Sequence, residues 1–559
     1  MPNVCDILIK LLSDAGVRHI FGVPGDSINS LTDAVRRQDK IRFIHVNHEE
    51  TGAFAAAAQA KLTGGLSVCV GTSGPGAIHL LNGLYDAKCD HAPVLAITGQ
   101  IETRRLGSDY QQEINVCRLF DDVAVYNQMI VNPEQTTYVA ARAIHTVLEQ
   151  RGVAHLNIPL DVSMKSVPKP KPWHVPLYLQ KAAAPIPDHS LVALAANLIN
   201  KKEKVVILAG IGCYGAENKV YHLAKILNAP IIHALRAKEL FPESHAYSIG
   251  GIGNLGVKPS VKALGACDLL LMIGTDFPYD DFLPKHATTI QIDLKAGQIG
   301  KRHTIDIGLA GDAGATLDVL IPLLKHKQQY SFLQQAQNHK REWKKEAQKQ
   351  MNSEKGLIKP QYLAHLIGEI APKDAIFICD TGEVTAWCAR HMMMQPGQRF
   401  TVSGLLASMA FGLPGAIGAQ LAYPDRPVIA LVGDGGFSML MTDFATAVRY
   451  KLPIKIIVFN NRKLGMITIE QEVRGQPDYQ TDNYNPDFAE FAKLCGGRGL
   501  SVTDPARLSE ALGQMNASNE PFVLDVQIDA KEIVMPPKVM LGQIVQYGIA
   551  KITERFGKA

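Results

Sequence analysis

Residues 433–436 read Gly-Asp-Gly-Gly, and residues 460 and 461 are both asparagine. Each motif closes an apolar run, PVIALVGD (427–434) and IKIIVFNN (454–461), and the gap between them has room for one helix. Ligands of open α/β sheets gather just beyond the carboxyl ends of the strands. Glycine at such a place lets backbone amides approach a phosphate closely. Asp434 offers an anionic oxygen there and Asn461 a neutral one. If the two strand ends are neighbours, these oxygens, a main-chain carbonyl, phosphate oxygens and water complete an octahedron around Mg²⁺. Either motif alone is an ordinary turn. The pair, at two strand ends, points to a metal-bound diphosphate.

A second group of chemically active residues lies near the N-terminus. In FIHVNHEETGAFAAAAQAKLTGG (43–65) a strand gives way to an alanine-rich helix, with Glu49 and Glu50 at the junction. Acids in the first turn of a helix are favoured by its dipole, which is the plain reading of both. Further on, GTSGPGAIHLLNGLYDAKCDHAPVLAITGQ (71–100) holds a tight strand-to-helix turn, with His79 one turn into the helix. His79 is either a hydrogen-bonded polar residue or a substrate contact.

The elements that must position these groups are strands alternating with helices. LSVCVGT (66–72), PVLAITG (93–99), KVVILAG (204–210), DLLLMIG (268–274), TTIQIDL (288–294) and DAIFICD (374–380) join the two runs above. Strands apolar on both faces belong to parallel sheets covered by helices on both sides. The expected fold class is therefore α/β, with doubly wound, mainly parallel domains. The chain has 559 residues, enough for about three to four domains. A proline-rich stretch (167–190) and a polar, helix-favouring one (326–356) mark the boundaries. The expected division is 1–180, 185–335, a connecting helix at 336–356 exposed to solvent, 357–530, and a tail at 531–559. With 57 Lys and Arg against 53 Asp and Glu, the chain has a net charge of +4 and no basic stripe, so no nucleic-acid partner is implied. MPNVCDILIKLLSDAG reads as an amphipathic helix without a cleavage signal, and no apolar run reaches the length of a membrane span. Nine scattered cysteines without metal-like spacing suit a reduced, cytoplasmic protein.

Across nearly the whole chain the sequence resembles the flavin-containing pyruvate oxidases and quinone-linked pyruvate dehydrogenases, a branch of the thiamine diphosphate-dependent enzymes. The strings that carry the resemblance are GVPGDSINSL, HEETGAFAAAA, GPGAIHLLNGLYDA, APIIHALRAKE, GTDFPY, IQIDLKAGQIGKRH, AGDAGATL, GDGGFSMLM and LPIKIIVFNN. The resemblance implies three domains, for pyrimidine, FAD and diphosphate. It implies that Asp434, Asn461 and the main chain at Lys463 hold Mg²⁺, with Gly433, Gly435 and Gly436 beside the diphosphate. Met409, in SGLLASMAFGLPGA, would bend the cofactor, and Glu49 would hydrogen-bond its aminopyrimidine and promote the imino tautomer. Gln112 and Glu470 would approach the substrate. The site is expected to span two subunits of a homo-oligomer, a dimer or tetramer. The reaction implied is oxidative decarboxylation of pyruvate or a close 2-oxo acid, with FAD passing electrons to a quinone or O₂.

For the middle domain, Gly210-Ile211-Gly212-Cys213-Tyr214-Gly215 has G-x-G-x-x-G spacing after a strand, a weak signal by itself. The acid expected about 20 residues on is replaced by the basic Arg236 and Lys238. The resemblance instead sets Gly210, Gly212, Arg236, Lys238 and Thr275 along the flavin, Asp293 on the ribose and Asp312 at the adenine end.

Two positions depart from the oxidase pattern: Gln111 replaces an aromatic residue, and Thr381 replaces a small aliphatic one. Both make the substrate pocket more polar than pyruvate needs. The rival readings are a carboligase of the acetolactate synthase type, which carries FAD as a bystander, and a catalytically dead relative serving as a scaffold. Glu470, where the carboligases carry tryptophan, favours the oxidase. In the tail, Leu541, Ile544, Val545, Ile549, Ile552 and Phe556 recur at helical spacing beside Lys551, Arg555 and Lys558. This segment either packs on its own protein or makes weak peripheral contact with the inner face of the cell membrane.

Overall fold

A computed structural model describes residues 1–167, 184–351, 356–538 and 541–556, so most of the proline-rich stretch lies outside the described residues. Three six-stranded sheets follow one another along the chain, and every pairing within them is parallel. The first contains β1 (His19–Gly22), β2 (Arg42–His45), β3 (Ser67–Gly71), β4 (Val94–Gln100), β5 (Tyr126–Met129) and β6 (Val153–Pro159). The second contains β7 (Val205–Ala209), β8 (Ile231–His233), β9 (Ser248–Gly251), β10 (Leu269–Ile273), β11 (Thr288–Asp293) and β12 (Ile307–Ala310). The third contains β13 (Ile376–Cys379), β14 (Arg399–Val402), β15 (Val428–Gly433), β16 (Lys455–Asn460), β17 (Arg498–Val502) and β18 (Phe522–Gln527).

Strand order in the first sheet is β2-β1-β3-β4-β6-β5 and in the third β14-β13-β15-β16-β18-β17, the same pattern repeated. The second runs β12-β11-β10-β7-β8-β9. Numbered from its own first strand, that is the doubly wound dinucleotide-binding order, although the acid of the usual fingerprint is missing. All eight apolar runs read from the sequence become interior strands of these sheets. The outermost strands β5 and β17 are only partly buried, and their polar residues hid them from an apolar-run search.

The first and third sheets are joined through two helices in equivalent places, Glu49–Thr63 after β2 and Gly412–Ala422 after β14. Ala53, Ala55, Ala56, Ala57, Ala58 and Ala60 are fully buried in one core that includes both helices. A Cβ on Gly418 would lie 2.2 Å from the Ala55 carbonyl oxygen, so the backbones approach as closely as glycine permits. Phe54 and Phe411 meet edge to face, with centroids 5.8 Å apart.

The connecting helix runs Ser331–Met351 and is not simply solvated. Phe332, Leu333 and Ala336 are buried, and the Lys340 ammonium donates to the Ser248 and His245 carbonyls at the start of β9. Its methylenes and paired head let a basic residue sit in the packed face. The N-terminal helix Val4–Asp14 starts with a reciprocal cap between Asn3 and Asp6. All nine cysteines are free.

Candidate active site

β15 and β16 are neighbours, with Gly433 paired to Phe459, so the ends carrying Asp434 and Asn461 lie side by side. Asp434 opens the helix Asp434–Leu440 and is buried. Its Oδ2 accepts from Asn485 Nδ2 at 2.7 Å and Asn483 Nδ2 at 3.1 Å. Burial pushes this carboxyl up, and the two amides oppose that shift. Asn485 also donates to Asn460 Oδ1 at 3.1 Å, and Asn460 to Asp525 at 2.9 Å, so the acid is the end of a hydrogen-bonded row. Asn461 Oδ1 accepts from the Lys463 amide at 3.0 Å, and its Nδ2 donates to Glu383 Oε2 at 3.0 Å. Burial pushes the Glu383 carboxyl up to about 7; the Asn461 bond opposes this and the Asp434 charge adds to it. A carboxylate oxygen and an amide oxygen at adjacent strand ends are the donor set a hard, octahedral cation takes.

Met409 sits in a loop whose neighbours Ala407 and Ala410 have φ of 56° and 70°. Left-handed backbone at alanine costs about 1–3 kcal/mol and persists where surrounding contacts fix it. Asp380 supplies those contacts: its carboxylate accepts from the amides of Thr381 (2.8 Å), Phe411 (3.1 Å) and Ala410 (3.2 Å). Burial pushes Asp380 up to about 7 against these bonds. A Cβ on Gly436 would lie 2.3 Å from Asp380 Oδ2, which explains the glycine.

A cavity of ≈ 470 Å³ runs from this edge to the strand ends of the second sheet. On the third-sheet side it is lined by Met409, Gly433, Asp434, Gly435, Gly436, Asn461, Lys463, Glu470, Thr381 and Glu383. On the second-sheet side Gly210, Arg236 and Thr275 line it. A Cβ on Gly210 would lie 2.2 Å from the Gly274 carbonyl, so glycine lets the ends of β7 and β10 meet. Among the residues that line the cavity, Thr275 Oγ1, Thr381 Oγ1 and the Trp387 indole nitrogen are buried without a protein hydrogen-bond partner. Buried orphan polar atoms are rare.

The remaining residues expected on the flavin do not line the cavity. Lys238 is buried in a pair with Glu243 (3.0 Å) and donates to the Ala389 carbonyl (3.1 Å). Asp293 accepts from the Lys295 amide in a turn, Asp312 caps the helix Ala313–Leu320, and Gly212 packs on Gly274. Arg236 reaches Asp90 at 3.3 Å, and Asp90 also pairs with Lys61 at 2.7 Å, which pairs with Asp86 at 2.6 Å. Asp90 is pulled down to about 2 despite its burial, because Arg236 and Lys61 flank it, while burial pushes Asp86 up.

Glu49, His79 and Gln112 all lie outside the cavity lining, to which the first sheet's segment contributes Cys89 and Asp90. Glu49 is buried, and its Oε2 meets His79 Nδ1 at 2.9 Å. His48 stacks on His79 with centroids 4.4 Å apart. Ligand atoms of His48, Glu49 and His79 lie within 4.8 Å of one another. The planes of the two rings are 27° apart. Gln112 has φ of 63° and accepts from Ser73 Oγ at 3.2 Å.

Comparison with known sequences identifies the family. Residues 2–119, 192–320 and 380–526 match, in order, the N-terminal thiamine pyrophosphate-binding, central, and C-terminal thiamine pyrophosphate-binding domains of the thiamine pyrophosphate enzymes. The chain belongs to this family. It is 41% identical over 537 residues to a Bacillus subtilis protein named as thiamine pyrophosphate-containing, covering 96% of this chain and 93% of that one. It is 34% identical to the pyruvate oxidase of Lactiplantibacillus plantarum, covering 96% and 90%. It is 35% identical to a Methanocaldococcus jannaschii protein bearing the name of an acetolactate synthase large subunit, covering 97% and 95%.

Within this thiamine pyrophosphate enzyme, sequence reasoning missed Glu383, Asn483, Asn485, Asp380 and Asp90. Asp380-Thr381-Gly382-Glu383 does follow the apolar run of β13, so a search for polar residues after every interior strand would have found Glu383. Asn483 and Asn485 lie in a segment of no regular structure, and nothing local announces them.

Proposed function

We propose that this chain oxidatively decarboxylates pyruvate or a close 2-oxo acid, using thiamine diphosphate, Mg²⁺ and FAD and passing electrons to a quinone or O₂. The observation that carries the reading is the single cavity lined both by Asp434, Asn461 and Met409 and by Gly210, Arg236 and Thr275. A flavin and a thiamine held at its two ends would share one space. When bound, the thiamine supplies the electron sink for loss of CO₂, and the flavin takes up two electrons.

This chain's residues do the rest. Asp434 and Asn461 give the metal its side-chain oxygens and Lys463 its main-chain carbonyl. The glycines at 433, 435 and 436 keep the diphosphate's path open. Met409 is presented by a loop that Asp380 holds rigid. Glu49 hydrogen-bonds the pyrimidine ring nitrogen from a partner subunit, so the working unit is at least a homodimer and, by the resemblance, a tetramer. Glu470 and Thr381 face the substrate side, and Gln112 and His79 join them from the partner.

The test is anaerobic mixing of the full-length protein with pyruvate while flavin absorbance is followed. Bleaching at the rate of turnover supports the oxidase. Unbleached flavin with acetolactate formed supports the carboligase, the second reading, which the acetolactate synthase likeness favours. No helix among the described residues is long and apolar enough to cross a membrane. The tail helix Leu541–Phe556 rests on the helix Gly465–Glu472 through an ion pair of Lys551 with Glu472, and leaves Val545, Ile549 and Ile552 exposed. Weak contact with the inner face of the cell membrane through this stripe, by a protein otherwise cytoplasmic, belongs to the same proposal.

A further inference from the structure

We propose that Glu383 is a positioning residue for the divalent metal, holding the Asn461 amide so that its oxygen, not its nitrogen, faces the ion. The inference rests on the reading of Asp434 and Asn461 as a metal clamp. An asparagine side chain has an acceptor end and a donor end of nearly equal size, and half a turn about its last bond exchanges them. Turned the wrong way, Asn461 would offer an N–H to a cation. Two contacts here select one orientation. Nδ2 faces the carboxylate of Glu383 at 3.0 Å, and Oδ1 faces the backbone N–H of Lys463 at 3.0 Å. The Lys463 backbone N–H can only donate, so it rejects the reversed amide, and the Glu383 oxygen accepts from the amide nitrogen on the other side. Oδ1 keeps a second lone pair for the ion.

The surroundings are shaped to keep Glu383 in place. It opens the helix Glu383–His391 just beyond β13, and the Val534 amide also donates to its carboxylate. A Cβ on Gly465 would lie 1.8 Å from Glu383 Oε2, so the start of the helix Gly465–Glu472 has room for the carboxylate because residue 465 is glycine. Glu383 therefore reaches the metal through Asn461, and groups that orient metal ligands in this way are worth roughly 10–100-fold in metal affinity.

The test uses full-length protein, thiamine diphosphate and Mn²⁺ as probe, with free Mn²⁺ read by electron paramagnetic resonance. Glu383→Ala should raise the Mn²⁺ dissociation constant about tenfold or more. Asn461→Asp has an oxygen at either end and needs no such orientation. In that background Glu383→Ala should therefore cost less than about threefold in Mn²⁺ affinity, whereas loss of packing alone would repeat the loss seen with Asn461 present. Unchanged binding in Glu383→Ala overturns the inference, as does an equal loss in both backgrounds. If the parent itself fails to bind Mn²⁺ with the cofactor, the clamp reading falls as well, so the two failures are distinct.

Discussion

The first and third sheets share one strand order, yet they carry different chemistry. In the third, the carboxylate Asp434 follows an interior strand and lines the cavity with its donors arranged around it. In the first, Glu49 follows the outermost strand β2, pairs with His79 and lies outside that cavity. A repeated topology thus offers several strand ends, and which one bears the acid decides whether the group serves its own cavity or a neighbour's. The two units meet through equivalent helices with no room for a methyl group between Gly418 and Ala55.

The largest test of this contrast separates chemistry from binding. Glu49→Gln should lower CO₂ release from pyruvate by roughly 10²–10⁴-fold while leaving metal-dependent cofactor binding close to the parent's. Asp434→Ala should abolish that binding. If a site takes Glu49 from one subunit and Asp434 from the other, co-expressing the two variants restores activity to about half per mixed dimer, because one of its two sites is then intact. A mixed dimer with no activity would place both residues of a site on one chain. Next in size, Gly418→Ala should wedge the joining helices apart and cost about 1–3 kcal/mol, read as a fall in Tm.

Acid should then divide the two units. Burial lowers His19 to about 4 and His155 to about 3, and both belong to the first sheet. Unfolding lets them take up protons below their ordinary value near 6.5, so the stability they give at neutral pH is lost as pH falls through that value toward 4. In the third unit His391, lowered to about 3, acts the same way, but Asp380 and Asp525, raised to about 7 and about 6, act oppositely. Their folded forms hold a proton that the unfolded forms release, so they add stability as pH drops from 7 toward 4. Amide exchange of the metal-free protein at pH 5 and pH 7 should show protection falling in the first unit and holding in the third. The smallest effect is expected at Thr381. Thr381→Val removes a buried hydroxyl without a partner and should raise kcat/KM for pyruvate by less than about tenfold.

How far the sequence reached follows from where each residue's partners come from. Eight of the twelve interior strands were legible as runs apolar on both faces, and Asp434 and Asn461 because glycine and amide residues end two such strands. Edge strands such as β17, half-solvated and polar, carry no such signal. Glu383, Asn485 and Asp90 gained their places from contacts far along the chain, 78, 51 and 314 residues from Asn461, Asp434 and Gly404. Lys238 shows the converse: a cation beside the expected flavin path, drawn instead into a buried pair with Glu243.

The cluster of Lys61, Asp86, Asp90 and Arg236 has a consequence for how that end of the cavity recognises a ligand. Two cations and two anions interlock where segments of all three sheets meet, so their fields largely cancel a few ångströms away. Arg236 then acts on an occupant as a short-range donor with little net pull. A dinucleotide would be chosen there by fit, and added salt should barely change its retention.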